Sequence, residues 1–203
     1  MISTVFFWME GTVVSSLAQA ATDRVQGALG GDADASMRME IIDLATQMNL
    51  GRVDGLSFCQ SVVDLVQVPM NAEDLAATIQ ADVQPIPGMH RLLQDLKEAY
   101  NLWLIATCPS DWLETIRERV EVLKFFPTDA IVQRPESGLK RLVPDVLELA
   151  QESAGAPTES CLFVARKSAI TTAAVNLSLN AIIFADARRL RRELAMRKLL
   201  PPV

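Results

Sequence analysis

From Leu102 onward, short apolar runs alternate with segments of helical spacing, and that alternation leaves few folds open to the chain. The runs are Leu102–Ala106, Ala130–Gln133, Ser160–Val164 and Ala181–Ala185. Helices are expected from Asp111 to about Leu123, over Pro144–Glu152 and over Ala169–Leu177. Strands separated by helices cannot be joined as hairpins, so they predict a parallel sheet covered by helices on both faces, a Rossmann-like α/β fold. A further run, Ile2–Met9, is rich in β-branched and aromatic residues and stops at Glu10-Gly11-Thr12, as a buried strand closing on a glycine turn does.

Between Val14 and Val83 the pattern changes. Leu17, Ala21, Val25 and Leu29, then Met37, Ile41, Leu44 and Met48, then Leu56, Val62, Val63 and Val66, then Leu75 and Ile79 recur at helical spacing. Gly30-Gly31-Asp32 and Asn49-Leu50-Gly51 read as helix ends, and Asn71 before Glu73-Asp74 reads as an N-cap with acids in the first turn. Pro85-Ile86-Pro87-Gly88 then forms a stiff hinge into a helix over His90–Ala99. The expected organisation is an α/β core, residues 1–13 and 84–203, carrying an all-helical unit over 14–83. A chain of 203 residues is long enough for both.

Composition narrows the chemistry. Half the residues are apolar and 22% are charged, which argues for a globular chain. No uncharged apolar run approaches the ~18–20 residues of a membrane span. Met1–Met9 has neither a basic leader nor a small-residue cleavage site, so a cytoplasmic location is expected. Cys59, Cys108 and Cys161 are far apart and form no paired-cysteine motif, and His90 is the one histidine, which excludes metal sites built on two imidazoles. The net charge of −6 divides into +4 from Asp186 to the end and −10 before it, so wholesale nucleic-acid binding is not expected. Arg188 to Lys198 reads as a basic helix with Leu190 and Leu194 inward, a solvated face or a dock for an acidic surface.

In a parallel sheet of this kind ligands meet the carboxyl ends of the strands, here Trp8–Thr12, Thr107–Asp111, Arg134–Arg141 and Ala165–Ser168. Those segments resemble the haloacid dehalogenase-like superfamily with a helical cap of the C1 type, over nearly the whole chain. The family's opening strand into Asp-x-Asp-Gly-Thr is similar to Thr4-Val5-Phe6-Phe7 running into Trp8-Met9-Glu10-Gly11-Thr12. Its hinge is similar to Pro87-Gly88-Met89, its second strand to Leu104-Ile105-Ala106-Thr107, and its lysine region to Gly138-Leu139-Lys140-Arg141-Leu142-Val143-Pro144. Its last motif matches Cys161-Leu162-Phe163-Val164-Ala165-Arg166-Lys167-Ser168 in framework.

The resemblance implies a nucleophilic aspartate, an acid/base aspartate and a late acid that helps hold Mg²⁺. At those positions stand Trp8, Glu10 and the pair Ala165-Arg166. An indole has one N–H donor and no nucleophilic oxygen, and Mg²⁺ wants oxygen ligands, so phosphoryl transfer and Mg²⁺ binding are expected to be lost and no cofactor is expected. Glu10 is expected to pair with Arg166 or Lys167 across the vacated metal position. Thr107, with Lys140 or Arg141, matches the family's phosphate-holding positions; adding Arg166 and Lys167 gives a candidate site for a phosphate or carboxylate compound. Cys108 beside Thr107 reads as a structural thiol or, less simply, a replacement nucleophile. A binding, regulatory or scaffold protein with a protein partner is the leading expectation. A weak phosphatase-type hydrolase using Glu10, Thr107 and Lys140 or Arg141, and a sensor of a phosphorylated ligand, are the alternatives.

Overall fold

The computed structural model describes residues 1–29, 35–67 and 70–201. Five strands, β1 (Thr4–Trp8), β2 (Asn101–Ala106), β3 (Ile131–Gln133), β4 (Cys161–Ala165) and β5 (Asn180–Ile183), form one parallel sheet in the order β3-β2-β1-β4-β5. β1 is central, with Phe7 beside Leu104 on one side and Val164 on the other. The chain adds strands first on one side of β1 and then on the other, and such a reversal opens a crevice at the carboxyl edge beside β1.

The sheet's two faces are sorted by alternation along each strand. Phe6, Trp8, Ile105, Val132, Phe163 and Ala165 pack with Val146, Leu147 and Ala150 of α7 (Leu142–Ala154) and Ile170 and Ala174 of α8 (Ser168–Asn176). Phe6 and Phe163 stack with centroids 4.4 Å apart. Val5, Phe7, Met9, Leu104, Leu162 and Val164 belong to the larger cluster on the opposite face, with α5 (Met89–Leu96), α6 (Ser110–Arg119) and α9 (Ala187–Met196). Burial on both faces explains why the strand sequences read as continuous apolar runs.

Between β1 and α5 lie four helices, α1 (Leu17–Ala28), α2 (Ala35–Asn49), α3 (Gly55–Val66) and α4 (Ala72–Asp82), which pack on one another. Their caps are side-chain hydrogen bonds: Ser16 Oγ accepts from Gln19 N–H, Asp54 Oδ1 from Ser57 N–H and Asn71 Oδ1 from Asp74 N–H. The chain enters and leaves this insert through one narrow neck. Ser15 N–H donates to Gln84 O and Ile86 N–H to Val13 O, each at 2.9 Å.

One local difference from the sequence expectation stands out. The helix expected to reach Leu123 stops at Arg119, where extended Val120 leads into a 3₁₀ turn, Glu121–Phe125. The break lets Val120, Val122, Leu123 and Phe126 all turn inward, which one continuous helix could not do. The helix end expected at Gly30-Gly31-Asp32 lies outside the described residues. Among the described residues, no helix is long and apolar enough to cross a membrane.

Candidate active-site crevice at the carboxyl edge

The turn after β1 sets the geometry. Val13 and Val14 N–H both donate to Met9 O, and Gly11, with φ of +74°, donates to Val14 O at 2.7 Å. This reversal holds Glu10 over the first turn of α1, where Oε2 accepts from Leu17 N–H at 2.9 Å and from Ser16 Oγ at 3.5 Å. A carboxylate there satisfies an orphan helix amide and faces the positive end of the helix. Burial nonetheless pushes the Glu10 carboxyl above its ordinary value, outweighing Leu17, the charge of Lys167, Ser16 and Asn49. Its other oxygen, Oε1, is buried without a hydrogen-bond partner.

Neither Arg166 nor Lys167 forms the ion pair expected with Glu10. Both are exposed, and the Arg166 stem lies across Gly11, where an added Cβ would come within 3.2 Å of Cδ. The short reach from Glu10 to the start of α1 is a hydrogen bond to backbone already in place, and Lys167 acts on the carboxylate only through its charge. Trp8, 8% exposed, sits with Ile105, Val132 and Ala165 in the layer beneath α7 and α8, and the small Ala165 leaves room for the indole.

Thr107 follows β2 directly and is buried, with Oγ1 unpartnered and its carbonyl accepting from Arg134 Nε at 3.2 Å. Cys108 is 1% exposed, and burial, reinforced by the charge of Glu10, pushes its thiol well above the ordinary range, the reverse of a reactive thiolate. His90 packs edge-on against Phe125, with centroids 5.0 Å apart.

The two candidate phosphate-holding cations divide. Arg141 is committed to Asp145: its N–H and Nε donate to the two carboxylate oxygens at 2.9 and 3.0 Å, which holds Asp145 below the usual carboxylate range. Lys140 is exposed, and its N–H donates to the same carboxylate. The cation that reaches Thr107 is Arg134, the first residue after β3, which the sequence reading did not single out. The signal was its place at the end of a strand.

Arg134 also closes the joint with the insert. Its guanidinium lies where a side chain on Gly51 would be, and Gly51 in turn lies against Gly138. A Cβ on Gly138 would sit 2.8 Å from Leu50 O, and Leu139 N–H donates to that same oxygen at 2.8 Å. Gly51 and Gly138 both have positive φ, so glycine is needed for conformation as well as space.

Overall, the crevice gathers Glu10, Thr107, Cys108 and Arg134 near the charge of Lys167, under the Asn49–Gly51 end of α2. This donor set does not fit Mg²⁺: its one carboxylate is engaged by the α1 amide and faces a lysine, and no group of three metal-ligating acids, cysteines or histidines occurs among the described residues.

Solved structures share this architecture. An enzyme of the haloacid dehalogenase family from Bacteroides thetaiotaomicron superposes with a TM-score of 0.70 at 11% identity, covering 91% of this chain and 94% of its own. L-2-haloacid dehalogenase from Xanthobacter autotrophicus, with chloropropionic acid covalently bound, gives 0.69 at 19% identity over 99% and 85%. The chain has the haloacid dehalogenase-like fold. A haloacid dehalogenase-like hydrolase from Xanthomonas campestris gives 0.64 at 17% identity over 92% and 82%. No protein-family model and no curated protein matches the sequence. The haloacid dehalogenase-like fold accounts for the sheet order and the helices between β1 and α5; the chemistry rests on the residues of this chain.

Proposed function

We propose that this protein is a non-catalytic member of its fold group, acting by binding a protein partner, with residues 14–83 serving as a cap fixed on the core. The observation that carries the reading is the use of the two positions that chemistry would need. Trp8 contributes its indole to the apolar layer under α7 and α8, and Glu10 spends its carboxylate on the first turn of α1. Neither residue supplies a nucleophile, and Glu10 alone has no attacking group to assist. The contacts of Leu50, Gly51 and Arg134 support a closed cap, against the opening that turnover requires.

The test is hydrolysis of p-nitrophenyl phosphate by the purified chain with and without Mg²⁺. Background hydrolysis in both is expected. Mg²⁺-dependent turnover that copurifies with the chain and falls in Glu10→Ala would establish the hydrolase reading instead.

A second reading, retention of a small phosphate or carboxylate compound, draws on the buried unpartnered hydroxyl of Thr107 beside Arg134. Lys140, Arg166 and Lys167 are the exposed cations that could extend such a site, and Arg141 contributes least because Asp145 holds it. Calorimetry with phosphorylated metabolites showing heat lost in Arg134→Met would favour it; no heat at millimolar concentration would remove it.

A further inference from the structure

On its outer side the same joint between insert and core is open. A groove of about 500 Å³ runs between α4 and α6, floored by Ala76, Ala77 and Ala81 and walled by Leu56, Trp112 and Thr115. Leu56 is 47% exposed, a large apolar side chain left at the groove's edge. Glu73 and Asp111 also line it, and neither is in an ion pair among the described residues. Arg119 is the lining cation, outnumbered by the two acids, and its Nη2 donates to Gln80 O at 2.6 Å across the joint. The exposed acids Glu114 and Glu118 on α6 and the net −10 of the chain before Asp186 add to the negative field.

We infer that this groove docks a basic segment of another protein, one that presents apolar side chains to the alanine floor and lysine or arginine to Glu73 and Asp111. The inference rests on the binding role proposed above and names its surface. Alanine at three floor positions allows a helix to approach closely, Leu56 and the Trp112 edge provide apolar walls, and the unpaired acids select the charge of what enters. One wall belongs to the insert and the other to the core. They are held together by Arg119 on Gln80 O and by the Trp112 indole against Gly55, so an occupant touching both walls favours the closed arrangement over any open one.

The experiment uses the whole chain and three synthetic helical peptides of about 15 residues, long enough to hold a helix when docked. One has leucine on one face and lysine on the other, one replaces lysine by glutamate, and one replaces leucine by serine. The leucine–lysine peptide is expected to shift the amide resonances of Leu56, Ala77 and Thr115, and to bind the Ala77→Arg variant at least about tenfold more weakly, with Glu73→Lys weakening it less. Ala77→Ser, which keeps the floor small, should bind as the native chain does. Equal binding of the glutamate or serine peptide, shifts elsewhere on the surface, indifference to Ala77→Arg or no shift at millimolar peptide would each overturn the inference. Concentration-dependent shifts at these residues without peptide would also overturn it, by making a second copy the occupant. Mg²⁺-dependent turnover would overturn the reading of the crevice and leave these peptide results standing, so the two failures are distinguishable.

Discussion

The two sides of the joint between insert and core are both closed over glycines, but only the outer one leaves a groove beside its contacts. On the crevice side glycines meet, and the missing Cβ atoms at Gly51 and Gly138 let backbone reach backbone, with Arg134 filling the remaining space. On the outer side Trp112 packs on Gly55 and Arg119 reaches Gln80 O, and beside those contacts Ala76, Ala77 and Ala81 line an open groove. On the closed inner side Thr107 is buried and Glu10 is half-buried. Leaving the outer side open gives another molecule a surface on which it can touch both units.

Breaking the outer wall should have the largest effect. Trp112 is buried, pressed against Gly55 and edge-on to Phe58 at 6.3 Å, so Trp112→Ala should cost about 3–5 kcal/mol in denaturant unfolding. Amide exchange should accelerate at Gln80 and Gly55 before it does at Leu139. Breaking the inner wall comes next. Gly138→Val forces a β-branched residue to φ of +77° and a Cβ to 2.8 Å from Leu50 O, and should cost about 2–3 kcal/mol and expose the Leu139 amide to exchange. If the two substitutions open the same amides in the same order, the two sides are one unit and the comparison fails.

Smaller effects sharpen it. Arg134→Met keeps the length of the strut and removes its hydrogen bond to Thr107 O, which should cost about 1 kcal/mol and loosen the crevice side alone. Glu10 acts on the slope of stability with pH. Its folded carboxyl titrates above the ordinary value of 4.5, so the folded state binds the proton more tightly than the unfolded state. The stability it contributes is fully present below that ordinary value and is lost as pH rises through the raised folded value. Glu10→Gln keeps an acceptor for Leu17 and removes the titration, so the variant should gain on the native chain as pH rises through this window. Unfolding curves whose difference stays constant with pH would contradict the burial assigned to Glu10.

The strands and helices were legible because each obeys one strong local rule. β1 and β4 are buried on both faces and so are apolar throughout, and Asn71 caps α4 through the hydrogen bond its side chain was expected to make. The carboxyl edge was legible by the same route, since Trp8, Thr107 and Ala165 end or follow strands. What the sequence hid was partnership. Glu10 was expected to find a cation in the β4 loop, but the amide of Leu17, seven residues ahead, was closer once Gly11 turned the chain. Arg141 was grouped with the crevice by position, yet Asp145 one helical turn on takes its guanidinium. Arg134 opened one of the expected edge segments but was given no role there, because its role depends on Gly51, a residue 83 positions away whose meaning is the absence of a side chain. Long-range pairings of this kind carry no local signature.

The most direct measurement is an amide resonance titration of the native chain with Mg²⁺ and inorganic phosphate together, following Gly11, Thr107 and Arg166. Resonances that do not move are expected, because the Glu10 carboxylate is held by the α1 backbone and Trp8 occupies the end of the central strand. A saturable shift at those three residues that disappears in Glu10→Ala would contradict it.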